Sequence, residues 1–341
     1  MPHSQQTSRR WEDWTFSHKH RRPRRQSKTL GLLTPDRIGD HLVARCMALD
    51  NFRARNLSKM WLPEVLQGSR MTFGSRQVFQ GIVNAVSDQI DAVITYENES
   101  NVLVQLAQTG YIVQQISKLN RLLDVALTVY NIKEPHSMVK WQTVLQQERQ
   151  ERMTRFQKMM ANKKLLMQML GDEQQQLNIL TLLLYDFQKH GDDTYTDLEG
   201  DVISDVYDTC VNLSGLTVVT VPEWLVPAHE IRQNRWQDTE VKVEKLMNRN
   251  EEFCIRQASA WWNLHHPHVM KLFGACHVGN DLFLVHESAQ SVNKSVSSRD
   301  VVLGTARILQ LLHERYVVPT KLTVERLSSN KCGFQETTAD N

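Results

Sequence analysis

The sequence predicts a multidomain chain in which an N-terminal all-α helical bundle is followed by a smaller α+β region. Three observations lead to this. The 341 residues exceed the roughly 100–200 that one domain usually occupies. From about Thr34 to Gly215 proline and glycine are sparse, and apolar residues recur at helical spacing. Beyond Gly215 no glycine follows until Gly274, and the C-terminal third carries the motif strings, quoted below, on which the α+β reading rests.

Residues 1–33 read as a disordered basic arm. Up to Lys28 there are eight Lys or Arg against Glu12 and Asp13, whereas the whole chain carries a net charge of only +2. The run His18-Lys19-His20-Arg21-Arg22-Pro23-Arg24-Arg25 suits a solvated arm, a nuclear import signal, or contact with the phosphates of nucleic acid or anionic lipid. Trp11, Trp14 and Phe16 interleave with the charge.

Residues 34–134 read as a helical bundle. The stripes Val78-Ile82-Val83-Val86-Ile90-Val93 and Leu103-Leu106-Ile112-Val113-Ile116-Leu119-Leu122-Leu123-Leu127 each mark one apolar helix face, and such faces must bury on one another. In residues 135–215 a linker with Pro135 leads into Met153, Phe156, Met160, Lys163, Met167 and Leu170, spaced by alternating threes and fours. This is the heptad seam of a long helix or short coiled coil, with Lys163 its polar exception. The seam predicts self-association through Met153, Phe156, Met160, Met167 and Leu170, or docking of the same stripe onto the neighbouring bundle. A helical hairpin completes the region. Its first helix runs from Gln174 to Lys189, Gly191-Asp192-Asp193 makes the turn, and Thr196 with Glu199 forms a capping box for the second.

Composition narrows the function classes. The five cysteines lack zinc or disulfide-framework spacing. No apolar run approaches the roughly 18 residues of a membrane span, and the N-terminus is basic and polar rather than a secretory signal, so the expected compartment is the cytoplasm, with the nucleus as the alternative. His265, His266 and His268 adjoin on a turn with Cys276 and His277 nearby, but no second ligand pair stands at zinc spacing, and no metal is expected there.

Between Trp261 and Val278 the chain reads Trp-Trp-Asn-Leu-His-His-Pro-His-Val-Met-Lys-Leu-Phe-Gly-Ala-Cys-His-Val, preceded by Val221-Pro222-Glu223-Trp224. This resembles the N-lobe of tyrosine-kinase-like protein kinases, most closely the oomycete branch, in which a helical region ends in a Pro-Glu-Trp lead-in. The resemblance implies a partial kinase-like α+β N-lobe and the start of a helical C-lobe over residues 216–341. It also implies an ATP cleft formed by Lys242, Glu244, His286, Glu287 and Ala289, and structural positions at Trp261, His266, Pro267, His268 and Leu272.

The positions that would carry chemistry depart from the family. Where kinases keep a Gly-rich loop over the phosphates, Arg232-Gln233-Asn234-Arg235-Trp236-Gln237-Asp238 has no glycine. Glu244 stands where the ATP-binding Lys belongs, and Gln257, nine residues before His266, replaces its Glu partner. Strand alternation puts Lys242 and Glu244 on one face and Val241, Val243 and Lys245 on the other. In the catalytic loop Lys321 replaces the Asp base and Arg326 the metal-binding Asn. The resemblance leaves Asp340 as a candidate remnant of the metal ligand, with no intact metal site expected, and a natural truncation or a partial gene both fit the ending at Asn341. The implied protein is a pseudokinase acting as a signalling scaffold or regulator, needing no cofactor and engaging other signalling proteins through its helices. The alternatives are an active Ser/Thr kinase using ATP and Mg, represented by a partial sequence, and a nucleic-acid binder working through the basic arm.

Overall fold

The computed structural model describes residues 73–132, most of 141–265, 269–288 apart from 280, and scattered positions at 42–49 and 303–314. The chain forms two compact units, Met1–Thr217 and Val218–Asn341. Among the described residues no helix is long and apolar enough to cross a membrane.

In the first unit the helices are α1 (Phe73–Asn98), α2 (Val102–Leu106), α3 (Thr109–Val129), α4 (Trp141–Met160), α5 (Lys163–Leu170), α6 (Glu173–Thr194) and α7 (Asp197–Ser214). The α1 and α3 stripes meet each other: Val86, Ile90, Val93 and Tyr96 bury against Ile112, Ile116, Leu119 and Leu123, with Leu42, Cys46 and Leu49 in the same core. An ionic tie crosses it. Arg45 donates to Asn120 Oδ1 at 2.7 Å and pairs with Asp124, which also accepts from Trp141 Nε1 at 3.2 Å. Helix α6 packs on both α3 and α7, so the predicted bundle and the segment after it lie in the same unit.

Two details correct the sequence reading. The heptad helix is broken: α4 stops at Met160, and Asn162, whose side chain accepts from Leu165 N at 3.1 Å, caps a separate α5. Asn offers the backbone this alternative to continuing a helix. The seam is also not free for self-association, because Met153, Phe156 and Leu170 are buried inside the unit, Met160 is half-buried, and only Met167 is exposed, at 40%. Helices α4 and α5 turn this stripe onto α7 and, through α5, onto α6. The second correction concerns the hairpin turn. Helix α6 continues through Gly191 to Thr194, and the chain turns at Tyr195 and Thr196. Glycine inside a helix costs about 1 kcal/mol relative to Ala. Asp186 and His190, on the turn before it, are nevertheless buried and hold the helix against α3 through Asp186.

The α6–α7 turn is held by two buried carboxylates. Asp186 accepts from Gly110 N at 2.9 Å at the start of α3, and Tyr195 donates its hydroxyl to the same oxygen. Burial first, and then the Asp186 charge, push the Tyr195 phenol far above its ordinary value, so it remains a donor. Glu199 closes the capping box with Thr196 and takes a two-pronged hydrogen bond from Arg149 on α4.

The second unit contains β1 (Arg235–Trp236), β2 (Thr239–Lys245), α8 (Glu251–Trp262), β3 (Leu272–Cys276) and β4 (Phe283–Glu287). The sheet is antiparallel in the order β1-β2-β4-β3. Asn250 caps α8 by accepting from Phe253 N at 3.0 Å, with Glu251 and Glu252 in the first turn favoured by the helix dipole. Its face of Phe253, Cys254, Ala258 and Trp261 packs on Leu272, Ala275 and Leu284. The lead-in becomes part of the sheet border: Leu225 pairs with Ala275 in parallel, through Val226 N to Ala275 O at 2.9 Å and Ala275 N to Trp224 O at 2.8 Å. Gly274 permits this approach, since a Cβ there would lie 2.3 Å from Val226 Cγ2 and 2.7 Å from the Trp224 carbonyl oxygen.

Candidate functional site

The site lies on the face of β2 and β4 that also meets α8. Register places Lys242 opposite His286 and Glu244 opposite Leu284, while Val241, Val243 and Lys245 point to the other face. Lys245 is therefore directed away, and its ammonium reaches Asp281 at 3.2 Å in an exposed pair worth at most about 1 kcal/mol. Lys242 is exposed, Glu244 is part-buried, and His286 is 1% exposed. Gln257 is fully buried on α8, one turn before Trp261.

Trp261 organises the interior. Its indole donates to Met270 O at 2.8 Å, fixing the end of α8 to the start of β3, and its ring lies 5.4 Å from that of His286 at 30°. The His286 Nδ1 lies 2.9 Å from Glu287 O, and Nε2 is 3.6 Å from Glu244 Oε2. Glu287 is half-buried, and its backbone N–H donates to Lys271 O at 2.9 Å. The site thus brings together Lys242, Glu244, Trp261, Leu272 and His286, whereas Glu287 lies opposite Val241 on the other face and Gln257 is buried on α8. The other predicted positions, Ala289, His266, Pro267, His268, Lys321, Arg326 and Asp340, lie outside the described residues.

The stretch after the lead-in turns tightly at Arg232–Arg235. Gln233, Asn234 and Gln237 take left-handed φ values of 47°, 58° and 47°, and Arg232 exchanges backbone hydrogen bonds with Arg235 across this turn. Residues in such turns turn their chain back at once. Trp236 then reaches Glu230 Oε2 through its indole N–H at 3.0 Å and lies 6.2 Å from Phe273.

The sequence reading misses a second histidine contact. Trp224 meets His277 edge-on at 5.2 Å, and no hydrogen-bond partner reaches the buried His277 Nδ1. Burial pushes His277 down to about 4. An unfolded His titrates near 6.5, so the fold favours the neutral ring. Stability from this group is fully present above about pH 6.5 and is lost as pH falls toward 4. Between pH 7 and 5 the loss is about 2 kcal/mol. Urea unfolding at the two pH values should show it in the wild type and not in His277→Leu, and an equal acid loss in both would exclude His277 as the cause.

Nucleophilic chemistry finds no support among the buried thiols. Burial pushes Cys254 up to about 12 and Cys276 up to about 11, so both are protonated thiols at neutral pH. Among the described residues no three His, Cys, Asp or Glu side chains converge to hold a metal ion.

No family model, no curated protein and no solved structure matches the chain. The residues themselves therefore carry the functional argument.

Proposed function

We propose that residues 216–341 are a degenerate protein-kinase-like domain of the tyrosine-kinase-like type, and that the protein works as a signalling scaffold or regulator without phosphotransfer. The observation that carries this reading is Glu244. It places a carboxylate on the cleft face of β2, beside buried His286, where a kinase of that type holds the lysine that binds ATP phosphates. A negative group there repels a triphosphate. The helix inserted between β2 and β3, the antiparallel ladder of β2 with β4, and the glycine-free, left-handed residues Gln233, Asn234 and Gln237 support the same reading. The helical unit is then the part that holds other signalling proteins, in the cytoplasm or nucleus.

Nucleotide binding tests it. Ligand at 100 times its dissociation constant stabilises a protein by about 2.7 kcal/mol, which a thermal melt resolves. Millimolar Mg-ATP should leave the melting temperature of the wild-type chain unchanged. A reproducible rise, reversed by a competitor for the adenine site, would replace this proposal with that of an ATP-binding Ser/Thr kinase.

A further inference from the structure

Five β-branched residues follow one another between α7 and the lead-in, Thr217-Val218-Val219-Thr220-Val221, and none belongs to a strand. Such residues suit an extended, pleated backbone. Gly215, left-handed at φ 72°, ends α7 before them, and Pro222 closes the run. From Gly215 to Pro222 the chain makes no helix, turn or bend, and from Thr209 to Pro222 it holds no charged residue. Proteins ordinarily cover a stretch of this kind or guard it with charge. Here Val219 is 86% exposed.

The two edges of the stretch differ. Along an extended chain the N–H and C=O groups of alternate residues point to opposite edges. The edge of Leu216, Val218 and Pro222 is in part taken: Leu216 N donates to Ser214 Oγ at 3.1 Å, Val218 is engaged within its own chain, and Pro222 has no N–H. The edge of Thr217, Val219 and Val221 finds no hydrogen-bond partner among the described residues. Each of these residues brings it one donor and one acceptor.

We propose that this open edge pairs with the same edge of a second copy of the chain, antiparallel about a two-fold axis at Val219. In that register Val219 stands opposite its own counterpart and Thr217 opposite the counterpart of Val221, so every N–H on the edge meets a carbonyl. The opposed side chains are all β-branched, and no like charges meet. A second copy is the occupant because the edge is complementary to itself, whereas the sheet edges of other proteins are ordinarily covered. The stretch is already straight, so pairing costs little ordering entropy. The taken opposite edge keeps the pair from growing into a fibre. One strand from each copy is a small contact beside the roughly 1,200 Å² of a stable interface, so the dimer is weak and reversible. It uses none of the heptad positions and does not depend on the kinase-like reading.

Sedimentation equilibrium of the full chain, from micromolar to hundreds of micromolar, should show a reversible monomer–dimer equilibrium. Val219→Pro removes the central donor from a stretch that forms no helix or strand of its own, and Val219→Lys sets like charges opposite each other. Each should weaken dimerisation by about tenfold or more, with folding checked by circular dichroism. Val219→Thr keeps the β-branch and the N–H and should stay within about threefold of the wild type. Cysteine crosslinking reads the register. Hydrogen-bonded antiparallel pairs hold their Cα atoms about 5.5 Å apart, within disulfide reach, so Val219→Cys should join to its copy under mild oxidation, above the wild-type background. Thr217→Cys should not, because a stagger of four residues sets its two copies about 14 Å apart. A wild type that stays monomeric throughout, a dimer untouched by Val219→Pro, or equal crosslinking of the two cysteine variants would overturn the proposal.

Discussion

Arg149→Ala lowers the stability of the helical unit by about 3–5 kcal/mol at neutral pH, the usual cost of stripping the partner from a buried charge. Glu199 is fully buried, and Arg149 supplies a charge-assisted fork to it, through Nε to Oε1 at 2.7 Å and through the second nitrogen to Oε2. The same guanidinium donates to Thr194 O, so one side chain from α4 closes the end of α6 and the start of α7 together. Removing it leaves a carboxylate in the interior with only its capping-box bonds from Thr196. Urea unfolding of the four members of the cycle Arg149→Ala, Glu199→Gln, the double variant and the wild type measures the coupling. The double variant should recover part of the loss because no charge remains unpaired. A single-variant loss below 1 kcal/mol would mean that solvent reaches Glu199 readily.

Trp261→Ala should cost the second unit about 3–5 kcal/mol, the range for deleting a buried large aromatic side chain. The indole is 1% exposed and fills the space between α8, β3 and His286. The substitution also orphans the Met270 carbonyl that accepts its N–H. Amide hydrogen exchange separates this from a local effect. Protection in β3 and β4 should collapse together in Trp261→Ala, whereas Trp261→Phe, which keeps most of the apolar volume and loses only the indole bond, should retain most of it. Unchanged protection in the alanine variant would show that α8 and the sheet hold without the ring.

Local signals in the sequence were legible where one residue acts on its near neighbours. The Thr196–Glu199 capping box is present, and the strand read at Val241–Leu246 spans Thr239–Lys245 with Lys242 and Glu244 on one face. Val86, Ile90 and Val93 of the α1 stripe and Ile112, Ile116, Leu119 and Leu123 of the α3 stripe also point inward where their spacing says they must. The break at Asn162 was missed because heptad counting registers apolar positions and not the capping residue between them, although Asn three residues before a helical Leu165 is itself such a signal. Gly191 misled because a glycine's local turn preference amounts to only about 1 kcal/mol and does not by itself end a helix. The ties that join distant elements left no periodic trace. Arg149 with Glu199 and Asp186 with Gly110 pair residues 50 and 76 apart in sequence. At the site, the residue types of Glu244, Gln257 and His286 could be read directly, but the 3.6 Å approach of Glu244 to His286 depends on a strand pairing that only the fold supplies.

The borders of the small sheet have a consequence for how this chain behaves in company. An open strand edge is a row of unsatisfied backbone groups that a second chain can extend into an aggregate. Here the Trp224–Val226 stretch covers the β3 border, and on the opposite side β1 is only two residues long, flanked by left-handed residues that bend it away. The lead-in thus acts as a guard against polymerisation as well as a connection. A shortened chain beginning after Pro227 would bare Ala275 and its neighbours, and should be lost to precipitation where the longer chain stays dispersed.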